Sequence, residues 1–400
     1  MLIRLANTPR HYDWGSPSGI SDLLGTRPSG LPEAELWFGT HGASPTWLVD
    51  HDEGYATLNE LVFANPEQTV GNSDTVPFLL KVLAAGQPLS LQAHPSEAQA
   101  VAGFARENAA GLHLSDPVRN YRDAQSKPEL IVAVSDEFVA LSGFRRCATT
   151  VPLLEEIADH ADSAALQTFV ASFSAKGAAS ARDAFVWALQ FLLDGSTDRD
   201  GLVEALVRVS TDPALDGNEA ALIVRDLCLM YPTDPGLVVA TLMNRVVLAR
   251  NEALFLPAGN LHAYVRGVGI ELMKASDNVL RGGLTNKHID VAELIRVVDY
   301  SELVDPRLPP TEVSSHLTAF TPAGAGFRLF QYSNDDAGSL NRTTVQLASC
   351  AIGVVTSGTI TVATASGSRT VSRGEALFIS VDERDATIYG AGELFLACAV

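Results

Sequence analysis

The chain of 400 residues carries 47 Asp+Glu against 28 Lys+Arg, a formal net charge of −19, with 46% apolar and only 19% charged residues. This composition supplies more than one hydrophobic core, which excludes intrinsic disorder, and the lack of any basic run excludes nucleic acid as a partner. Cys147, Cys228, Cys350 and Cys398 are isolated and read as reduced structural thiols. The start MLIRLANTPRHYDWG has no apolar signal core, and the most apolar stretch, FVWALQFLL (185–193), is too short to span a bilayer. The expectation is a cytoplasmic protein with no membrane contact.

Up to about residue 145 the texture is strand-like, with ELWFG (35–39), FLLKVL (78–83), LSLQ (89–92) and ELIVAV (129–134) separated by turn residues. From about 148 to 250 apolar residues recur at three- and four-residue steps, as in Leu154, Ile157, Leu166, Phe169, Val170 and Phe173, which predicts a helical insert. Its last helix is expected to start at TDPG (233–236), with Thr233 or Asp234 as cap and Pro235 in the first turn. Strand character returns at 253. From about 318 to the end, brief alternating runs such as GTITVAT and ALFIS predict a small antiparallel barrel or sandwich. ALFLPAGNLHAY from Ala253 and ALFISVDERDAT from Ala376 form a weak repeat, in which Asp385 stands where His262 does.

Gln92 and His94 lie two apart on a predicted strand, with Ser90 in the same row, and Lys127 and Glu129 repeat that spacing. His262 follows a strand across the PAGN turn. Nitrogen and oxygen donors converging from several strands suit zinc or another divalent ion. A lone histidine is more often structural, and His11, His51, His113, His160 and His316 are read so; a neutral Gln amide is by itself a weak ligand. ELMKASDNVLRGGLTNK (271–287) reads either as a solvated loop or as an anion-binding one, its SDN turn holding its own backbone through Asp277 and Asn278. Lys81, Lys127, Arg281 and Lys287 are candidates for a positive pocket in this acidic chain.

The strings YDWGS (12–16), ELWFGTH (35–41), PFLLKVLAAGQPLSLQAHPS (77–96), YRDAQSKPEL (121–130), GFR (143–145) and PAGNLHAYVRGVGIELMKASDNVLRGGLTNK (257–287) strongly resemble the type I mannose-6-phosphate isomerases. The resemblance implies a mainly β fold with an α-helical insert. It would consist of a catalytic cupin (jelly-roll) barrel formed by 1–147 and 251–317, a helical domain at 148–250, and a second, metal-free cupin-like barrel at 318–400. It implies one Zn2+ per chain on Gln92, His94, Glu129 and His262. It places Arg281 at the catalytic centre, with Ser90, Lys81, Lys127, Tyr264, Glu271 and Lys287 lining the sugar-phosphate pocket; among these, a carboxylate in a partly dry pocket makes Glu271 the first choice of catalytic base, with Lys127 and Lys287 as acids or orienting cations. A monomer is expected. Ser126 departs from the family's usual His before KPE, Lys274 replaces a small residue before SDN, and His288 stands where an aromatic is common. The rival expectations are a two-barrel metal oxygenase and a sugar-phosphate-binding cupin that has lost catalysis.

Overall fold

The computed structural model describes residues 1–49, 54–71, 73–195, 199–336 and 341–400. Its frame is two large antiparallel sheets, ten-stranded each among the described residues. The first is organised by the twelve-residue strand His262–Met273. Its leading half pairs with Glu137–Phe144 and Gln92, and its trailing half with Leu79–Ala85 and Glu129–Ala133. Gly267 sits where the partners change, at φ +120°, and a Cβ there would lie 2.8 Å from the Glu137 carbonyl oxygen and Phe138 Cα. Only glycine fits that crossing without displacing backbone.

The second sheet is built on the long pair Ala351–Thr364 and Asp385–Ala399, flanked by Phe327–Asn334 and Ala376–Ile379. The first strand of the chain, Leu2–Ala6, joins this sheet beside Ala376–Ile379 rather than the one that follows it in sequence. Ile3, Leu5, Phe78, Leu80, Leu130, Ile270, Phe327, Phe378 and Phe395 are buried together between the sheets. Burying side chains of this size contributes roughly 1.5–3 kcal/mol each.

Glu137–Phe144 and Met243–Ala249 pair antiparallel, and the chain between them is helical from Cys147–Ala161 through Gly236–Thr241. The apolar periodicity therefore ends at Thr241 rather than at 250: MNRVVLA is a strand whose two faces are unequally buried, which its short apolar run disguised. Asp234 Oδ1 accepts from the Gly236 amide at 2.7 Å, ahead of that last helix. Phe169, Phe173, Phe185 and Leu189 pack this helical layer against Leu91, Ala93, Leu141, Phe144, Leu261, Ala263 and Val265. Among the described residues no helix is long and apolar enough to cross a membrane.

The strand-like first third hides a helix, Glu97–Ala109, with a capping box between Ser96 and Gln99. Gly103 on this helix faces the fully buried Tyr121 ring, and a Cβ would come within 2.4 Å of it. Tyr121 is anchored in turn by its hydroxyl on Glu293 and begins the segment that carries Lys127. Gly103→Ala is expected to lower stability by about 1–3 kcal/mol despite the better helix former, because overpacking displaces a ring with no free space. Thermal unfolding midpoints of the two proteins check this.

Candidate metal centre and cleft

Leu261, just ahead of His262–Met273, and Ala263 and Val265 within it turn towards the helices, while His262 and Tyr264 line a cleft of about 270 Å³. A register irregularity between Tyr264 and Arg266 then inverts the phase. Beyond it, Ile270 and Leu272 pack between the sheets and Glu271 and Met273 face the cleft. His262 and Glu271, an odd number of residues apart, thus share a face that strict alternation denies them.

His94 Nδ1–H donates to the Asn278 carbonyl at 2.7 Å, and His262 Nδ1–H to the Asn260 carbonyl at 3.0 Å. Both Nε2 atoms are therefore left as lone-pair acceptors. They meet the two oxygens of one carboxylate: His94 Nε2 lies 3.3 Å from Glu129 Oε1, and His262 Nε2 lies 3.2 Å from Glu129 Oε2. His94 Nε2 is buried with no hydrogen-bond partner. Three buried acceptors within 4.8 Å of one another, with no proton to share, fit a divalent cation. Burial pushes the His94 imidazole down to about 4 against the pull of Glu129, so it is neutral and free to ligate at neutral pH. Burial favours a protonated Glu129, yet the Lys127 ammonium beside it opposes this, and the carboxyl is held well below its usual range. Gln92 is bracketed in the sheet by His262 and Arg281 and lines the same cleft.

The cleft is lined by all four candidate pocket cations, Lys81, Lys127, Arg281 and Lys287. Lys127 Nζ is 3.0 Å from Glu129 Oε1, and buried Lys81 lies 3.1 Å from both Glu35 Oε1 and Glu271 Oε2. Burial works against the Lys81 charge, but Glu271 and then Glu35 raise its pKa above the ordinary lysine value. Burial raises Glu271; Lys81 opposes this, and Glu129 and Glu35 add to it. Burial, then neighbouring Arg122, lowers Arg281; Lys287 is lowered by burial, Arg281 and Arg122. Tyr264 lines the cleft with its hydroxyl buried and without a hydrogen-bond partner, and burial followed by Glu271 raises its pKa well above normal.

Ser90 does not line the cleft. The strand there is only Gln92–Ala93, and the Leu91 amide turns to the Gly283 carbonyl, which breaks the predicted row. The SDN turn also differs from expectation. Asn278 does not hold its own backbone: its Oδ1 accepts from the Arg122 and Asp123 amides, and its Nδ2 donates to the Asp123 and Gln125 carbonyls. Asp277 pairs with His41 at 3.3 Å, and the Trp37 ring lies edge-on to His41. Glu35, Trp37 and His41 were not singled out as site residues in the sequence; the signal available was the string ELWFGTH. The departures Ser126 and Lys274 meet on one carboxylate, Ser126 Oγ donating to Glu97 Oε2 at 2.7 Å and Lys274 Nζ lying 3.5 Å from it. His11, His113 and His160 are exposed, His316 is half-buried, and His51 lies outside the described residues.

Asn278 thus ties the Arg122–Gln125 segment to the carbonyl that orients His94. Asn278→Ala is expected to cost about 2–4 kcal/mol by leaving several buried partners unmatched, and to weaken divalent-metal affinity about 10–100-fold. Unfolding curves and metal titration measure the two effects separately.

Residues 2–147 match the family described as phosphomannose isomerase type I, catalytic domain. The mannose-6-phosphate isomerase of Escherichia coli (strain K12) is 33% identical over 401 residues, covering 98% of each chain. The Homo sapiens mannose-6-phosphate isomerase is 31% identical, covering 94% of this chain and 92% of its own. A zinc-bound mannose 6-phosphate isomerase structure superposes with a TM-score of 0.87 at 30% identity, covering 100% of this chain and 99% of that one. The chain belongs to the type I mannose-6-phosphate isomerase family.

Proposed function

We propose that this chain interconverts mannose 6-phosphate and fructose 6-phosphate, with one zinc ion held by His94, Glu129, His262 and Gln92. The observation that carries the proposal is the set of imidazole lone pairs turned onto both oxygens of Glu129, at the end of a cleft rich in cations. A bound zinc ion would supply a Lewis acid for the sugar oxygens. The remaining chemistry belongs to side chains of this protein.

Isomerisation moves a proton between C1 and C2 and relocates the carbonyl through an enediolate. Glu271 is the base: burial raises its proton affinity, and it faces the cleft on the same strand as His262. Lys127, ion-paired to Glu129, orients the sugar oxygens beside the metal ligands. Arg281 is the cross-strand partner of Gln92, which supports a role at the reacting carbons rather than at the phosphate. A guanidinium stays protonated, so its role is to stabilise the enediolate charge. Lys287, exposed at the mouth of the cleft, meets the phosphate, while Lys81 and Tyr264 contact the sugar. In this reading the first sheet, with the helical layer packed on it, corresponds to a catalytic cupin barrel, and the second sheet, packed against the first, to a cupin-like barrel. The working form is a monomer in the cytoplasm, where phosphorylated sugars are retained.

Purified protein should carry about one divalent ion per chain, and His94→Ala or His262→Ala should remove both metal and turnover; elemental analysis beside an isomerase assay decides this. Retention of the ion in both variants overturns the site. Arg281→Ala should lose ~10²-fold in turnover with metal content unchanged, whereas a rise in KM with turnover preserved would assign Arg281 to phosphate binding instead.

A further inference from the structure

Lys81 stands between two carboxylates, 3.1 Å from Glu35 Oε1 and 3.1 Å from Glu271 Oε2. Its strand, Leu79–Ala85, lies between Glu35–Phe38 and His262–Met273, and Trp37, Lys81 and Glu271 form one cross-strand row. The row brings the Trp37 ring to 4.9 Å from the Lys81 ammonium, and Trp37 Nε1–H donates to Glu35 Oε2 at 3.1 Å. Glu35 therefore gives one oxygen to the indole and the other to the ammonium, and its orientation is fixed. Glu35, Trp37, Lys81 and Glu271 are all buried.

A base in this setting meets a charge problem. When the C–H bond of the sugar breaks, its electron pair stays on the substrate as enediolate and the proton forms an O–H bond on Glu271, which becomes neutral. A buried ammonium whose sole counterion was Glu271 would then be stranded, at a large desolvation cost. Lys81 keeps its three protons throughout and needs another carboxylate during that interval. We infer that Glu35, oriented by Trp37, is a positioning residue that neutralises the Lys81 ammonium while Glu271 carries the proton, so that the proton is taken and returned without stranding a buried charge. The inference rests on the reading of Glu271 as the base. Glu35 and Glu271 approach Lys81 from strands on opposite sides, so the ammonium has a partner in both protonation states without moving.

Glu35→Gln keeps the shape and the acceptor for Trp37 Nε1 and removes the charge. Its kcat is expected to fall about 10-fold, the response to roughly one unit of proton affinity in a general base, with KM within about twofold and metal content unchanged. The primary deuterium isotope effect on kcat, read with mannose 6-phosphate deuterated at C2, should rise above the wild-type value because the C–H step has slowed. In a Lys81→Met background, where no ammonium can be stranded, adding Glu35→Gln should cost no further turnover. Wild-type kcat in Glu35→Gln, an isotope effect that does not rise, or equal fold losses in both backgrounds would overturn the inference. Wild-type turnover in Glu271→Gln would instead overturn the assignment of the base itself.

Discussion

Glu129 must face two imidazole lone pairs at once, and much of the surrounding structure exists to enforce that. The carbonyls of Asn278 and Asn260 fix both tautomers so that neither ring can turn an N–H towards the carboxylate. Left alone, such an arrangement is unfavourable, since buried acceptors repel without a cation between them. The energy that holds them together comes from elsewhere: Leu91, Ala93, Leu261 and Ala263, the neighbours of the site residues, are locked into the helical layer. A pre-formed set of ligands is the result, with its cost met by packing on the opposite face of the same strands.

Charge placement follows the same economy. In a chain with net charge −19, Lys81 and Lys127 are placed against Glu35, Glu129 and Glu271 deep in the cleft, while Arg281 and Lys287 make no carboxylate pair among the described residues. The interior pairs set proton affinities; the unpaired cations near the mouth leave positive potential for an anion. Ser126, Glu97 and Lys274 add a separate small network behind Lys127, in which two departures from the family pattern satisfy one carboxylate together.

Local spacing carried part of this. Lys127 and Glu129, two apart, do lie on one face and touch, and His262 emerges from the PAGN turn into the cleft. Spacing brings Gln92 beside His94, but a neutral amide is a weak ligand by itself, and only the resemblance makes it one, since its neighbours come from distant strands. Ser90 is not among the residues that line the cleft, since the chain ahead of Gln92 turns aside with the Leu91 amide on the Gly283 carbonyl. Glu35 and Trp37 read as part of an apolar strand, because their partner Lys81 is identified by sheet order, which pattern alone does not reveal. The helix Glu97–Ala109 was legible from its capping box, yet the strand-like texture around it prevailed.

The irregularity between Tyr264 and Arg266 gives the molecule a parity. Upstream of it the even-numbered residues His262 and Tyr264 look into the cleft; downstream the odd-numbered Glu271 and Met273 do. A perfectly regular strand of the same composition would pair more neatly, yet would turn Glu271 into the apolar layer between the sheets and present Ile270 and Leu272 to the cleft. Length changes along this strand are therefore constrained by parity: a deletion that removes the extra residue at the irregularity leaves His262 and Glu271 eight apart and still on one face, whereas a single deletion elsewhere between them, with the irregularity kept, turns Glu271 away from the cleft.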